Sequence, residues 1–141
     1  MPASYTAVVD VTGEGRNGGS VHSADGLLEH TLSIPKEFGG AGDATNPEQL
    51  FAAGWAACFL GALRRAAAER RIKLTSTAIT AEVTLVHGDD GEFSLATTLS
   101  PRLGGVDQAT AEALAEAAHR ICPYSKATRG NIPIAIHATA V

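Results

Sequence analysis

Two cysteines are the only thiols in this chain, and they stand in unlike surroundings. Cys58 lies in the apolar run Ala56-Ala57-Cys58-Phe59, deep in a helical segment. Cys122 lies in Ile121-Cys122-Pro123-Tyr124-Ser125, at a break before a proline. A thiol inside an apolar helix is ordinarily inert, whereas one at a backbone break can move. The pair suits thiol peroxidase chemistry, with a buried thiol that attacks and a mobile one that closes a disulfide. Oxidised Cys58 would be a sulfenic acid, which condenses with a neighbouring thiol. Pro123 bars right-handed helical geometry at Cys122 and ends the helix there, leaving that thiol free to swing. Closure requires the two Cα atoms to come within about 7 Å, a separation the sequence does not fix.

Reactivity at Cys58 needs a cation. Apolar surroundings raise a cysteine pKa, and Cys58 lies about three turns into its helix, beyond the reach of the helix dipole. Arg16, in the turn Gly13-Glu14-Gly15-Arg16-Asn17-Gly18-Gly19, is the best-placed cation by sequence context. Its fork needs a carboxylate to hold it, and Glu48 at the start of the same helix is the candidate. Glu48 and Cys58 nevertheless lie roughly 15 Å apart along one straight helix, because each residue advances about 1.5 Å. Two antiparallel copies packed about a two-fold axis near Ala53 would bring Glu48 of one chain beside Cys58 of the other. Gly54, Ala57, Cys58 and Gly61 are small and share one helix face, which permits that close approach. The expectation is a symmetric homodimer with two sites at its interface. The competing reading is that these small residues pack against a sheet of their own chain.

The elements that must position these groups read as follows. Ser4 to Thr12 alternates as a strand, and short strands follow at Ser20–Ser23 and Leu28–Ile34, joined by an Asp25-Gly26 hairpin. A glycine-rich loop from Pro35 to Thr45 leads to a long helix. Asn46 caps that helix, Pro47 fits its first turn, and Gln49 can complete a capping box. It runs to about Arg71, with a first half apolar on all faces that should be buried and a charged second half that should reach solvent. Ile79, Ala81, Val83 and Leu85 mark one face of a further strand. Phe93, Leu95, Thr97 and Leu99 mark the next, across a Gly88-Asp89-Asp90-Gly91 hairpin. A second helix, capped by Asp107, runs to about Ile121. A short helical turn resumes after Pro123 and stops at Gly130, and a last strand covers Pro133 to Val141. The order βββ–α–ββ–α–β gives an α+β fold, with helices on one face of mostly antiparallel sheets.

The bulk composition narrows the function classes. A length of 141 residues fits one domain, 1–141, and 45% hydrophobic residues suffice for a core. A net charge of −4 with interspersed signs argues against nucleic-acid binding. The run from Gln49 to Leu63, the longest uncharged stretch within a helix, is too short to span a membrane. No signal peptide is legible, so the expectation is a cytoplasmic protein, where a disulfide is transient and catalytic rather than structural.

At these residues the chain resembles the organic hydroperoxide resistance branch of the Ohr/OsmC family, over nearly its whole length. The resemblance is carried by Asn46-Pro47-Glu48-Gln49-Leu50-Phe51-Ala52-Ala53-Gly54, Ala56-Ala57-Cys58-Phe59 and Cys122-Pro123-Tyr124-Ser125. Ala127-Thr128-Arg129-Gly130-Asn131-Ile132, Gly15-Arg16 and Asp25-Gly26 add to it. Tyr124 favours this branch over OsmC proper. The resemblance implies an OsmC-like fold, an intertwined homodimer and a peroxidase acting on organic and lipid hydroperoxides. It implies Cys58 as the attacking cysteine, Cys122 as the resolving one, and Arg16 with Glu48 as the pair that activates the thiolate. A dihydrolipoyl group on a partner protein, or another dithiol, is the implied reductant, and no cofactor is implied. Phe51, Trp55, Phe59 and Leu60 would form an apolar wall for alkyl and fatty-acid hydroperoxides. Trp55 stands where the family often has tyrosine, Lys126 where it often has asparagine, and Glu14 where a glycine is common. Trp55 could reshape the pocket, and Lys126 could change the charge near Cys122.

Two other readings compete. His119 and Cys122 are spaced i, i+3, and Cys58 could add a third metal ligand, but zinc sites normally show tighter paired spacings and the remaining histidines are scattered. A redox sensor or lipid-binding module could use the same apolar pocket without turnover.

Overall fold

The computed structural model describes residues 2–141. The chain forms two compact units, one ending at Leu50 and the other running Phe51–Val141. The first holds a three-stranded antiparallel sheet in the order β1 (Val9–Thr12), β2 (Ser20–Ser23), β3 (Glu29–Thr31). Val11 pairs with Val21, and Val21 pairs with His30. The first strand begins at Val9 rather than Ser4. Its partner β2 ends at Ser23, where Asp25 accepts from the Ser23 hydroxyl and the Leu27 N–H and turns the chain. The β3 ladder likewise covers only part of the expected Leu28–Ile34, after which Leu32 bridges Thr45 in parallel.

The turn between β1 and β2 is a single 3₁₀ turn, Gly15–Asn17. Gly19 is required there for space. A Cβ on it would stand 2.1 Å from the Thr12 carbonyl oxygen and 2.6 Å from the Gly15 nitrogen, both backbone atoms that cannot yield separately.

Helix α1 spans Pro47–Glu69 without interruption. Its buried positions within the second unit are Trp55, Phe59, Ala62, Leu63, Ala66 and Ala67, a stripe at helical spacing. This corrects the expected division of the helix. Burial follows one face into the charged half, where Arg64, Arg65 and Glu69 occupy the other side. In the apolar half, Ala53, Ala57 and Gly61 are exposed. β4 (Ser76–His87) and β5 (Phe93–Gly104) form a long antiparallel hairpin, from Ser76↔Gly104 to His87↔Phe93. Thr97, Leu99, Pro101 and Leu103 are the buried face of β5, while Phe93 at the open end is 61% exposed and stacks on His87.

Asp107 caps α2 (Gln108–Ile121) by accepting from the Thr110 N–H. Helix α3 covers Pro123–Thr128. The last strand departs from expectation in being interrupted. It is split into β6 (Ile134–Ile136) and β7 (Thr139–Ala140), and both run parallel to β5. Parallel pairing follows from the α2–α3 crossover, which carries the chain from the end of β5 back toward its start, so that Ile134 pairs beside Thr97 and Ala140 beside Leu103. At the split, the Gln108 side chain donates to the Ala138 carbonyl and accepts from the Ala140 N–H, supplying bonds the ladder lacks there. Leu99 and Leu103 of β5, Leu114 and Ala118 of α2, and the α1 stripe form the core of this unit. The whole is α+β, as the element order indicates. Among the described residues, no helix is long and apolar enough to cross a membrane.

Candidate functional site

Two clusters carry the chemistry-bearing residues. The first joins the β1–β2 turn to the start of α1. Asn46 caps the helix by accepting from the Gln49 N–H at 2.9 Å. The reciprocal half of the capping box is absent, because the Gln49 side-chain carbonyl is taken by the Thr45 hydroxyl at 2.7 Å. Glu48, in the first helical turn, accepts two parallel bonds from Arg16, Nη1 to Oε2 at 2.8 Å and Nη2 to Oε1 at 2.7 Å. This fork-to-fork geometry fixes the plane of the guanidinium. Arg16 remains 41% exposed against 15% for Glu48, so the fork is held from one side and open on the other. Bonding to Arg16 lowers the Glu48 pKa against the opposing effect of burial, and the same bond raises that of Arg16.

The second cluster joins α1 to the α2–α3 joint. Cys122 Sγ lies 3.1 Å from Cys58 Sγ, and both are free thiols. Their exposures reverse expectation: Cys58 is half-buried and Cys122 has no exposed surface. Pro123 does end the helix, and Cys122 has the extended ψ of 120° that a residue before proline adopts. The break determines the backbone and not the direction of Cβ, which points into the core. The Cys122 N–H closes the last turn of α2 on Ala118, and its carbonyl accepts from Lys126 in α3. A disulfide bond is about 2.03–2.05 Å long, so closure needs roughly 1 Å of approach and no swing.

Burial raises the Cys58 pKa most, and contact with Cys122 raises it further. The backbone N–H of Tyr124 opposes both by bonding to the sulfur. Tyr124 also lies against Gly54, where a Cβ would sit 3.2 Å from its ring. Gly54 and Cys58 thus face α3, while Ala53, Ala57 and Gly61 do not share that cover. Trp55 Nε1 donates to Ser125 Oγ at 3.3 Å, and both residues are fully buried. Of the four wall residues, Trp55 and Phe59 have no exposed surface, whereas Phe51 and Leu60 retain some. Ser125 and Tyr124 escape sequence reasoning as site components. The signal was an indole in an apolar helix, whose N–H needs an acceptor when buried. Among the described residues, no three His, Cys, Asp or Glu side chains converge as metal ligands.

The sequence profile of the OsmC-like protein family matches residues 40–137. An organic hydroperoxide resistance protein of Xanthomonas axonopodis pv. citri is 45% identical over 133 residues, covering 94% of this chain and 92% of that protein. Organic hydroperoxide resistance protein OhrB of Bacillus subtilis is 43% identical over 133 residues, covering 94% of this chain and 96% of that one. The crystal structure of an organic hydroperoxide resistance protein from Elizabethkingia anophelis matches with a TM-score of 0.92 at 41% identity over 100% of both chains.

Proposed function

The chain belongs to the OsmC-like family, and from that premise we propose that it is a cysteine-based peroxidase that gives resistance to organic hydroperoxides. The observation that carries this reading is the pair of free thiols 3.1 Å apart, one half-exposed and one buried. The Cys58 thiolate attacks the distal oxygen of ROOH. The O–O bond breaks, ROH leaves with a proton, and sulfur retains the other oxygen as a sulfenic acid. Cys122 then displaces that oxygen as water and forms the disulfide. An external dithiol, a dihydrolipoyl group on a partner protein in this reading, reopens it by exchange. No cofactor takes part.

The surroundings of Cys58 in its own chain push the thiol toward the neutral form, so the thiolate requires a guanidinium. Arg16, clamped by Glu48, is the group suited to it and to the charge that develops on the departing oxygen. The helix between Glu48 and Cys58 is unbroken, which keeps the roughly 15 Å separation along it. In this proposal Arg16 and Glu48 therefore serve Cys58 of a second copy, in a homodimer packed on the open Ala53, Ala57 and Gly61 face of α1. The whole of 1–141 acts as one domain of that dimer, in a reducing cytoplasm. Phe51 and Leu60 present the apolar wall to the alkyl group, with Trp55 and Phe59 behind them.

Steady-state consumption of cumene hydroperoxide, with dihydrolipoamide as donor, tests the reading. The wild type should turn over many times and Cys58→Ser should lose all activity. Turnover surviving in Cys58→Ser would end the proposal, and a single oxidation without turnover would make the protein a sensor instead.

A further inference from the structure

Two pairs of residues meet in opposite register across α1 and α3. Trp55 precedes Cys58 by three positions, and Ser125 follows Cys122 by three. Each pair is therefore separated by about one helical turn and shares a face. The thiols meet at 3.1 Å, and one turn away the indole N–H meets the serine hydroxyl at 3.3 Å. One turn before Cys58 the Tyr124 ring covers Gly54, and the Tyr124 backbone opposes the rise of the Cys58 pKa.

A buried indole N–H and a buried hydroxyl cost desolvation that two apolar side chains of similar size would avoid. What the polar pair adds is registry, because the N–H is directional and has one partner. α3 has six residues and joins α2 through the extended backbone of Cys122. Rotation about that joint would turn the Cys122 Cβ away from Cys58 and lift the Tyr124 ring from Gly54.

We propose that Trp55 and Ser125 are positioning residues for disulfide closure, holding Cys122 on the Cys58 sulfur throughout the cycle. The proposal rests on the peroxidase reading above. In the step concerned, the Cys122 sulfur attacks the Cys58 sulfenic acid. The S–S bond forms, the S–O bond breaks, and the oxygen leaves as water with the proton of the Cys122 thiol. Two electrons pass from the thiol to the sulfenic sulfur, and the organic hydroperoxide is the original oxidant.

The test compares Ser125→Ala, Trp55→Phe and the double variant in two measurements on the full chain. In the first, reduced protein receives one equivalent of cumene hydroperoxide. Sulfenic acid is trapped with dimedone, and the products are resolved by mass spectrometry. Closure should slow by about tenfold relative to peroxide consumption, the scale of one buried hydrogen bond left half-paired. Dimedone adduct should rise accordingly. In the second, the protein dithiol is equilibrated with oxidised dithiothreitol, which needs no peroxidase activity. The fraction in the disulfide form should fall about tenfold in effective molarity, and the double variant should be no worse than either single one. Wild-type closure rates and exchange equilibria in folded variants, or fully additive losses, would overturn the proposal. If the exchange equilibrium shifts as expected while the wild type consumes no hydroperoxide, the clamp stands and the peroxidase reading fails.

Discussion

The Arg16–Glu48 fork places its charge consequences on the acid side of the pH scale. The folded-state pKa of Glu48 lies below the ordinary 4.5 because of Arg16. Its contribution to stability is therefore present above 4.5 and is lost as pH falls through the lowered value. The difference in melting temperature between wild type and Glu48→Gln should be constant near neutrality and shrink below pH 4.5. It should also weaken with salt, since Arg16 is 41% exposed. A difference that stays flat down to acid unfolding would remove the ion pair from the stability account. In the catalytic proposal, Arg16→Ala should lower kcat/KM by about 10²-fold and move the pH midpoint of Cys58 alkylation upward, since a thiolate that loses its cation needs more base to form. Unchanged alkylation would detach Arg16 from the thiol. At this scale the residue types are legible, because two thiols and a capped acidic helix start are visible as letters. It hid the burial of Cys122, since a proline constrains the preceding backbone and says nothing of what packs on the side chain.

Elements were legible where a local rule governed them and obscure where a distant partner did. Asn46, Asp107, Pro123 and Gly130 punctuate their helices as their chemistry dictates, and the structure agrees at each. The extent of β1 depended on the length of β2, and the split of the last strand depended on Gln108, thirty residues before Ala138. Neither dependence lies within a window of periodicity. The burial of α1 is obscure for the same reason, since an apolar surface tells that it can be covered and not by what. The β1–β2 turn that carries Arg16 offers a direct check. Gly19→Ala would force a methyl group into the Thr12 carbonyl, so the turn must open. The expected outcome in urea unfolding is a loss of about 1–3 kcal/mol, with kcat/KM reduced in parallel. Full retention of both would mean that the turn's shape is incidental to the site.

For the molecule as a whole, the proposed dimer makes a prediction that no single-chain arrangement shares. Mixing Cys58→Ser chains with Glu48→Gln chains gives heterodimers in which one site combines an intact Cys58 with an intact Glu48 from the other chain. Two nearly inactive parents should therefore regain activity on mixing, and size-exclusion with light scattering should report a dimer throughout. Mixtures no more active than their parents would return the fork to its own chain. The burial of one sulfur and the partial exposure of the other also sets a direction for repair. Once the two are bonded, an incoming reductant meets only the Cys58 side of the bridge. In the proposed cycle the carrier's thiolate attaches there and expels Cys122 inward, so regeneration would use the same opening that admits the peroxide, and substrate and reductant would take turns.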